Sequence, residues 1–334
     1  MMRNVWIGLL IAACTAGCNR NGSPPSSSAD TQGGPAVAAA PYVEGSPLLV
    51  NSADGVHIEY RIYGKGEPAV VLVHGWACNE NYWNAQTPAL KAAHYTVVLV
   101  DLAGHGASGK NRSDWSMGNY GEDVASVVRQ LPNRQVILVG HSMGGLVALE
   151  ATRRIGDRVI GIIAVDALKS IGQPPMPQKQ IETRVDAFRK DFIGETRKFV
   201  AESLFPKNAN PQFVNKVAYD MSLASPAVAV ASMESLLSTD LAPIVADIHV
   251  PVMAINSDLE PTDIARIRKS LPDFTAEVIP HTSHFLMMDD TARFNPVLLR
   301  DIATLAQKGE AGLPAGAAPG QPQGGLPRGA ATHH

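Results

Sequence analysis

Ser142 is the residue best placed in this chain to act as a nucleophile. It lies in the pattern Gly140-His141-Ser142-Met143-Gly144, between an apolar run at 136–139 and a second apolar run that starts at Leu146. Gly-x-Ser-x-Gly between a strand and a helix is typical of a nucleophile elbow, a turn too tight for side chains two positions either side of the serine. Such a turn strains the serine backbone and holds its hydroxyl above the sheet edge. The alternative is a glycine-rich loop with a solvated serine.

A serine hydroxyl at neutral pH needs a nearby base, and the base needs a carboxylate that orients it. In sheets that carry this elbow, the acid and then the histidine follow the serine along the chain. Asp258 comes just after the apolar run at 252–255, and His284 lies in the loop after the last apolar run. The order and the strand ends therefore predict a triad of Ser142, Asp258 and His284.

Other residues compete for the last two roles. Asp166, directly after the preceding buried run, is the second candidate for the acid, and Asp263 is the third. Asp258 could instead serve as a turn or N-cap residue. His281 is the alternative base, and His141 is expected to pack and hydrogen-bond beside the serine.

Acyl transfer also needs two backbone N–H groups that bind the oxyanion. One is expected from Met143, the residue after the nucleophile. The other is expected from Trp76, because His74-Gly75-Trp76 follows a buried strand and Gly75 lets backbone approach a substrate. The Trp76 ring can fill the core at the same time, since only its amide is required.

The elements that must position these residues are short apolar runs separated by helical segments. This alternation predicts an α/β fold with a mostly parallel, doubly wound sheet and helices on both faces. The first run alternates with polar residues, which predicts an edge strand. The predicted strands are 56–63, 69–73, 95–100, 136–139, 159–165, 252–255 and 274–279.

A long interval between the strands at 159–165 and 252–255, taken as the sixth and seventh core strands of the fold, interrupts this rhythm. Residues 181–205 have helical periodicity, with four large apolar side chains near one face. Two caps followed by proline predict two or three further helices. We expect a helical lid at about residues 168–242, above the carboxyl ends of the strands; the alternative is a helical insertion elsewhere on the surface. The apolar face is Phe188, Phe192, Phe199 and Leu204, and the caps are Asn210-Pro211 and Ser225-Pro226.

Composition excludes several classes of function. The 334 residues carry a net charge of −3 and no basic stripe, which argues against nucleic-acid binding. The histidines outside the motifs show no metal-ligand spacing, so we expect no metal and no other cofactor. Cys78 is the one cysteine in the predicted domain, so no disulfide is expected within it, and we interpret Cys78 as a small core residue.

The N-terminal residues predict export. Residues 1–17 combine one positive charge, a short apolar run and small residues, as in a secretory signal. Cys18 directly after Ala16-Gly17 resembles the bacterial lipoprotein signal, although Thr15 stands where leucine is usual. The resemblance implies removal of residues 1–17, lipidation of Cys18 and membrane attachment in the bacterial cell envelope. Asn19 favours the outer membrane, and a periplasmic or secreted protein is the alternative.

The rest of the chain divides into three segments. Residues 18–46 are rich in serine, proline, glycine and alanine and predict a flexible tether after the lipidated cysteine. Residues 47–307 hold all the strand and helix signals and form the predicted domain. Residues 308–334 return to glycine, proline, alanine and glutamine, which predicts a disordered tail.

The motifs taken together resemble the α/β-hydrolase superfamily, and within it the esterase, C–C hydrolase and non-haem haloperoxidase-like group. The resemblance covers about Pro47 to Gln307, and it implies the triad and oxyanion residues named above. It says little about the substrate. The residues that carry it are His74-Gly75-Trp76, Asp101 to Ser108, Gly140 to Gly145, Asp258 and Ser283-His284-Phe285.

The implied activity is cleavage of a carboxylic ester or thioester through an acyl-enzyme, with Ser142 as nucleophile. The substrate is expected to be a small molecule with an apolar acyl part, because the predicted lid is rich in Met, Phe and Leu. A C–C or amide hydrolase using the same triad is an alternative. So are a catalytically slow ligand-binding or signalling module on the same fold, and a structural lipoprotein with an incidental pocket.

Overall fold

The computed structural model describes residues 43–311, which form one eight-stranded sheet in the order β1-β2-β4-β3-β5-β6-β7-β8. The first strands pair antiparallel, β1 with β2 and β2 with β4, and all later pairs are parallel. The α/β fold predicted from the sequence is thereby confirmed. The strands are β1 Leu48–Asn51, β2 His57–Tyr63, β3 Ala69–Val73, β4 Thr96–Val100, β5 Val136–His141, β6 Val159–Val165, β7 Val252–Ser257 and β8 Thr275–Ile279.

The central strands are buried along their whole length because helices cover both faces of the sheet. Every residue of β3, β4 and β5 is buried, which matches their unbroken runs of valine, leucine and isoleucine. The helices between and after the core strands are α1 Thr87–Ala92, α2 Met117–Gln130, α3 Met143–Ile155, α9 Ile264–Ile267, α10 Leu286–Asp289 and α11 Thr291–Ala311.

Five further helices fill the interval between β6 and β7 and form the lid. The caps predicted from the sequence hold: Asn210 and Ser225 are N-caps, each followed by proline at the first helical position. The Asn210 side chain accepts a hydrogen bond from the Gln212 N–H. The lid helices are α4 Gln178–Lys190, α5 Phe192–Ser203, α6 Pro211–Ser222, α7 Pro226–Ser238 and α8 Leu241–Ala246.

Three sequence-based expectations need correction. The strand predicted at 56–63 is not an edge strand, because β1 pairs along its outer side. The single helix predicted over 181–205 is two helices that meet at Asp191, whose φ of −146° interrupts the helix. Helix α11 continues to Ala311, beyond the predicted domain end at residue 307, and its apolar face packs Leu305 against Gly161 of β6.

Some predictions fall outside the described residues. The signal at 1–17, the lipidated Cys18, most of the tether and residues 312–334 of the tail all lie there. Between residues 43 and 311, no single helix has the length and apolarity needed to cross a membrane; α6 and α7 meet those criteria only as a pair bent by 101°.

Candidate active site

The turn between β5 and α3 has the strained geometry that the sequence predicts for a nucleophile elbow. Ser142 has φ 53° and ψ −118°, a backbone conformation that L-residues with side chains rarely adopt. Its N–H donates to Val165 O of the neighbouring strand at 3.0 Å, which fixes the turn to the sheet. The fold therefore holds the Ser142 hydroxyl at the start of α3, above the carboxyl end of β5.

Two glycines make the turn possible because backbone passes where their side chains would be. A Cβ on Gly140 would lie 2.1 Å from Gly144 O, and one on Gly144 would lie 2.5 Å from Val73 O. Neither contact is with a flexible side chain, so no local adjustment relieves it. The glycines of the motif are thus required by the close approach of α3 to β3 and β5.

Gly140→Ala should lower the free energy of unfolding by about 3 kcal/mol, because overpacking against backbone forces the elbow apart. Gly118→Ala is the matched control. Gly118 lies in α2, where an added Cβ meets only the mobile end of Arg154 and Ser116 Oγ, so alanine there should be neutral or stabilising by up to about 1 kcal/mol. Urea unfolding of both variants checks this, and equal stabilities would contradict the role assigned to Gly140.

His284 and Asp166 form the central contact of the site. His284 Nδ1 lies 2.5 Å from Asp166 Oδ2, so the imidazole donates its Nδ1–H to the carboxylate. His284 is also held by its backbone: its N–H donates to Leu204 O and its carbonyl accepts from His141 Nε2, both at 2.9 Å. This tautomer leaves Nε2 without a proton, as a general base requires.

Ser142, Asp166 and His284 all line one cavity of about 600 Å³ between the sheet and the lid. Asp166 is buried, whereas Ser142 and His284 are partly exposed to the cavity. The arrangement is a serine, a histidine and a carboxylate that reach one cleft from the ends of β5, β8 and β6. These are the three groups that activate a serine hydroxyl when they converge.

The sequence-based choice of Asp258 as the partner of His284 is wrong. Asp258 Oδ1 accepts a hydrogen bond from the His281 N–H at 2.9 Å, and the Asp258 side chain is 40% exposed. The reason is strand length: β7 continues for two residues past Ile255, which is level with Val165, the last residue of β6. Asp258 therefore lies beyond the sheet edge, while Asp166 lies directly at it.

The remaining candidates also have other surroundings. Asp263 caps α9 by accepting from the Arg266 N–H. The His281 side chain is 88% exposed. His141 packs beside His284, with ring centroids 4.7 Å apart, as the sequence suggested. Burial, together with the nearby His284, lowers the pKa of His141 to about 3, so His141 is a neutral donor rather than a base.

The Asp166 carboxylate is surrounded by donors on its other oxygen. Oδ1 accepts from the Ser257 N–H at 2.8 Å and the Ser257 hydroxyl at 2.9 Å, and Lys169 Nζ lies 2.8 Å away. Burial acts to raise the pKa of Asp166, but the hydrogen bond from His284 and the Lys169 charge outweigh it and hold the pKa well below its usual range. Asp166 is thus ionised whenever the protein is folded near neutral pH.

Two N–H groups are free to bind an oxyanion beside Ser142. The amides of Trp76 and Met143 have no acceptor among the hydrogen bonds of residues 43–311, and both residues line the Ser142 cavity. Met143 begins α3, so its N–H belongs to the unpaired first turn, where the helix dipole also favours negative charge. The Trp76 indole donates to Ala229 O of α7 at 2.7 Å, which anchors the ring to the lid and leaves the amide available.

A second space of about 630 Å³ also touches Ser142 and lies against α3, α8 and the proline-rich segment before α4. Both spaces share Leu168, Leu236 and Leu237 as lining residues. The serine thus lies where two pockets meet. The apolar residues that line only the second pocket include Leu146, Ile171, Met176, Leu241 and Val245.

Among the described residues, one group of carboxylates is close enough to suggest a metal ion: Glu59, Glu80 and Asp101 have oxygens within 4.8 Å of one another. Arg61 donates to both Glu59 and Glu80. The guanidinium therefore occupies the place of a cation in this cluster, and the cluster is not part of the Ser142 cavity.

Residues 70–297 match the model of the alpha/beta hydrolase family, and the chain belongs to that family. The match contains Ser142, Asp166 and His284 together with the lid.

The chain is also similar to individual proteins, at low sequence identity. The chain is 28% identical over 273 residues to the non-heme chloroperoxidase CPO-A1 of Kitasatospora aureofaciens, covering 75% of this chain and 98% of that one. It is 28% identical over 244 residues to a pimeloyl-[acyl-carrier protein] methyl ester esterase of Methylococcus capsulatus, covering 69% and 93%. A solved esterase from Exiguobacterium antarcticum superposes with a TM-score of 0.69 at 22% identity, over 76% of this chain and 98% of that one.

Proposed function

We propose that this protein is a serine hydrolase that cleaves a carboxylic ester or thioester with Ser142, His284 and Asp166. The observation that carries the proposal is the 2.5 Å contact between His284 Nδ1 and Asp166 Oδ2, beside a strained serine in the same cavity. Backbone strain at a serine and a buried carboxylate that orients a histidine are both found most often at functional sites. The esterase among the relatives agrees with this class of reaction.

The reaction proceeds in two acyl transfers. His284 Nε2 accepts the Ser142 proton while Oγ bonds to the substrate carbonyl carbon, and the carbonyl π electrons move to oxygen. The Trp76 and Met143 N–H groups bind that oxyanion, and Asp166 stabilises the imidazolium. The intermediate collapses, the C–O or C–S bond breaks, and the leaving group takes the proton from His284. Water, deprotonated by His284, then attacks the acyl-enzyme and releases the acid, returning the proton to Ser142.

The two pockets that meet at Ser142 support a small-molecule substrate with groups on both sides of the scissile bond. Half of the residues that line the second pocket are leucine, isoleucine, methionine or proline, so it can hold an apolar acyl chain. The first pocket holds the triad and is lined by apolar side chains such as Phe188 and Phe199 together with the charged Arg184 and Glu260. We assign the leaving group to this pocket.

A series of p-nitrophenyl esters tests this assignment. We expect kcat/KM to rise from acetate to hexanoate by up to about 200-fold, since the four additional CH₂ groups contribute about 0.8 kcal/mol each when they are fully buried. Leu241→Trp, which fills the second pocket, should remove the gain for the longer chain and spare acetate. Failure of the folded protein to hydrolyse any ester or thioester would contradict the proposal and favour the binding-module alternative.

We further propose that the chain is anchored in the bacterial cell envelope through a lipidated Cys18, with the outer membrane favoured. The support is the sequence alone: the apolar run, Ala16-Gly17-Cys18 and the tether-like segment after it. Metabolic labelling with an alkyne fatty acid should mark the full chain and not Cys18→Ser. Equal labelling of both, or of neither, would contradict the anchor and leave the hydrolase proposal untouched.

A further inference from the structure

Lys169 is a largely buried cation held against the carboxylate that orients the histidine. Its Nζ lies 2.8 Å from Asp166 Oδ1 and 3.4 Å from Ser257 O, and its side chain is only 11% exposed. A lysine is rarely buried to this degree unless it is paired. A buried carboxylate needs hydrogen-bond donors to its oxygens. For Asp166 Oδ1, the oxygen that does not contact His284, the Ser257 N–H and hydroxyl already meet that need.

The backbone is shaped to bring Lys169 to this position. Asp166 and Leu168 have φ values of 43° and 61°, a left-handed conformation that non-glycine residues seldom adopt, so the chain turns back on itself after β6. Arg266 of α9 then fixes the turn by donating from Nη2 to Lys169 O at 2.8 Å and from Nε to Ile171 O at 3.2 Å. Two strained residues and a second side chain thus hold the ammonium group in place.

We propose that Lys169 is a positioning residue that sets the pH range of the Ser142 reaction through Asp166. Without Lys169, the Asp166 carboxylate would interact with the imidazolium of His284 alone. With it, the carboxylate is shared between two cations, so it stabilises the protonated imidazole less. The base then stays neutral, and the enzyme active, at a lower pH than an unshared carboxylate would allow. This inference rests on the proposed function, since it concerns the triad of that reaction.

Other ionisable groups lie near His284 and Asp166, and their influence on His284 must be distinguished from that of Lys169. His141 at the end of β5 touches His284 and is neutral. Asp289 of α10 accepts from the Ser283 N–H, one residue away from the imidazole. The charged side chains that line the same cavity are Arg184, Glu195, Lys198, Glu202 and Glu260. Among the described residues, the Asp166 carboxylate contacts two basic side chains, His284 and Lys169.

The test is the pH dependence of kcat/KM in Lys169→Met, Lys169→Gln and Lys169→Arg. Removing the charge should move the acid limb of kcat/KM up by about one pH unit, because the charge balance of the triad changes. Lys169→Arg should keep the wild-type limb, since it keeps the charge. Lys216→Met is the matched control: Lys216 is an exposed residue of α6 paired with Asp220, and its profile should superimpose on wild type.

A second readout needs no turnover. The ¹H NMR signal of the His284 Nδ1–H, titrated without substrate, should change at higher pH in Lys169→Met than in wild type. If this shift is seen but no ester is cleaved, the charge coupling stands and the proposed function fails. If Lys169→Met does not fold, Lys169→Gln decides, because its amide can still bond to Oδ1 without a charge.

Two results would overturn the inference. One is an acid limb at the same pH in Lys169→Gln or Lys169→Met and in wild type. The other is a loss of rate by the same factor at every pH, with the NMR titration unmoved, which is what a purely structural lysine would produce.

Discussion

Asp166→Asn should lower kcat/KM by about 10⁴-fold with little change in substrate binding, and it should also lower the free energy of unfolding because Lys169 loses its paired carboxylate. Asparagine has nearly the shape of aspartate, but its amide can hold the His284 imidazole in the tautomer that carries the proton on Nε2, where it cannot accept the serine proton. It also removes the negative charge that stabilises the imidazolium. Steady-state hydrolysis of a p-nitrophenyl ester checks this, with the fold verified by thermal unfolding.

Asp258→Asn is the matched control because it makes the same substitution at the acid predicted from the sequence. Asp258 contacts the His281 N–H and is half-exposed, so its loss should change kcat/KM by no more than about threefold, as for surface polar contacts. If Asp258→Asn were the damaging substitution and Asp166→Asn the mild one, the acid assigned from the structure would be wrong.

Ser142→Ala should abolish turnover, by about 10⁵-fold or more in kcat, because it removes the oxygen that attacks the substrate. The fold should persist, since alanine only removes the Oγ atom from a residue whose backbone contacts are unchanged. Burst and steady-state measurements with the best ester of the series would show this loss.

Ser238→Ala is the control for that substitution. Ser238 is exposed at the end of α7, where its hydroxyl donates to Glu234 O, so alanine there should leave kcat within about twofold. Ester hydrolysis that persisted in Ser142→Ala would mean that another group attacks the substrate, and the elbow would have no catalytic role.

The elbow and the sheet could be predicted from the sequence because they depend on local patterns. The β-branched runs mark buried parallel strands, and Gly140 and Gly144 mark a place where an added Cβ would lie only 2.1 and 2.5 Å from backbone oxygens. His284 was found by the same reasoning, as a histidine in the loop after the last core strand. Each of these features is set by residues close together in the chain.

The carboxylate that orients His284 could not be predicted from local sequence patterns, because Asp166 and Asp258 each follow a buried strand. The choice depends on how far β7 extends beyond β6, which is a matter of register between strands that are distant in sequence. One signal was present in hindsight: Asn256-Ser257 ends β7 with buried polar groups, and Ser257 supplies two donors to Asp166. A buried serine at a strand end needs a partner, and the neighbouring carboxylate is that partner.

The lid is tied to the site more closely than its helical pattern suggested. Leu204, just after α5, accepts a hydrogen bond from the His284 N–H, and Ala229 of α7 accepts from the Trp76 indole. The Trp76 ring packs edge-on against Phe188 and Phe199, at centroid distances of 5.3 and 6.1 Å. The lid therefore helps to position both the base and one oxyanion donor, in addition to walling the cavity.

The most direct measurement of the central claim is covalent labelling of the wild-type protein with a fluorophosphonate, followed by peptide mapping. The reagent reacts with a serine only where a base activates the hydroxyl and N–H groups bind the phosphoryl oxygen. The account predicts one phosphonate per chain, on Ser142, with labelling that is greatly slowed in Asp166→Asn and unchanged in Asp258→Asn. A folded wild-type protein that stays unlabelled, or that carries the label on another residue, would contradict it.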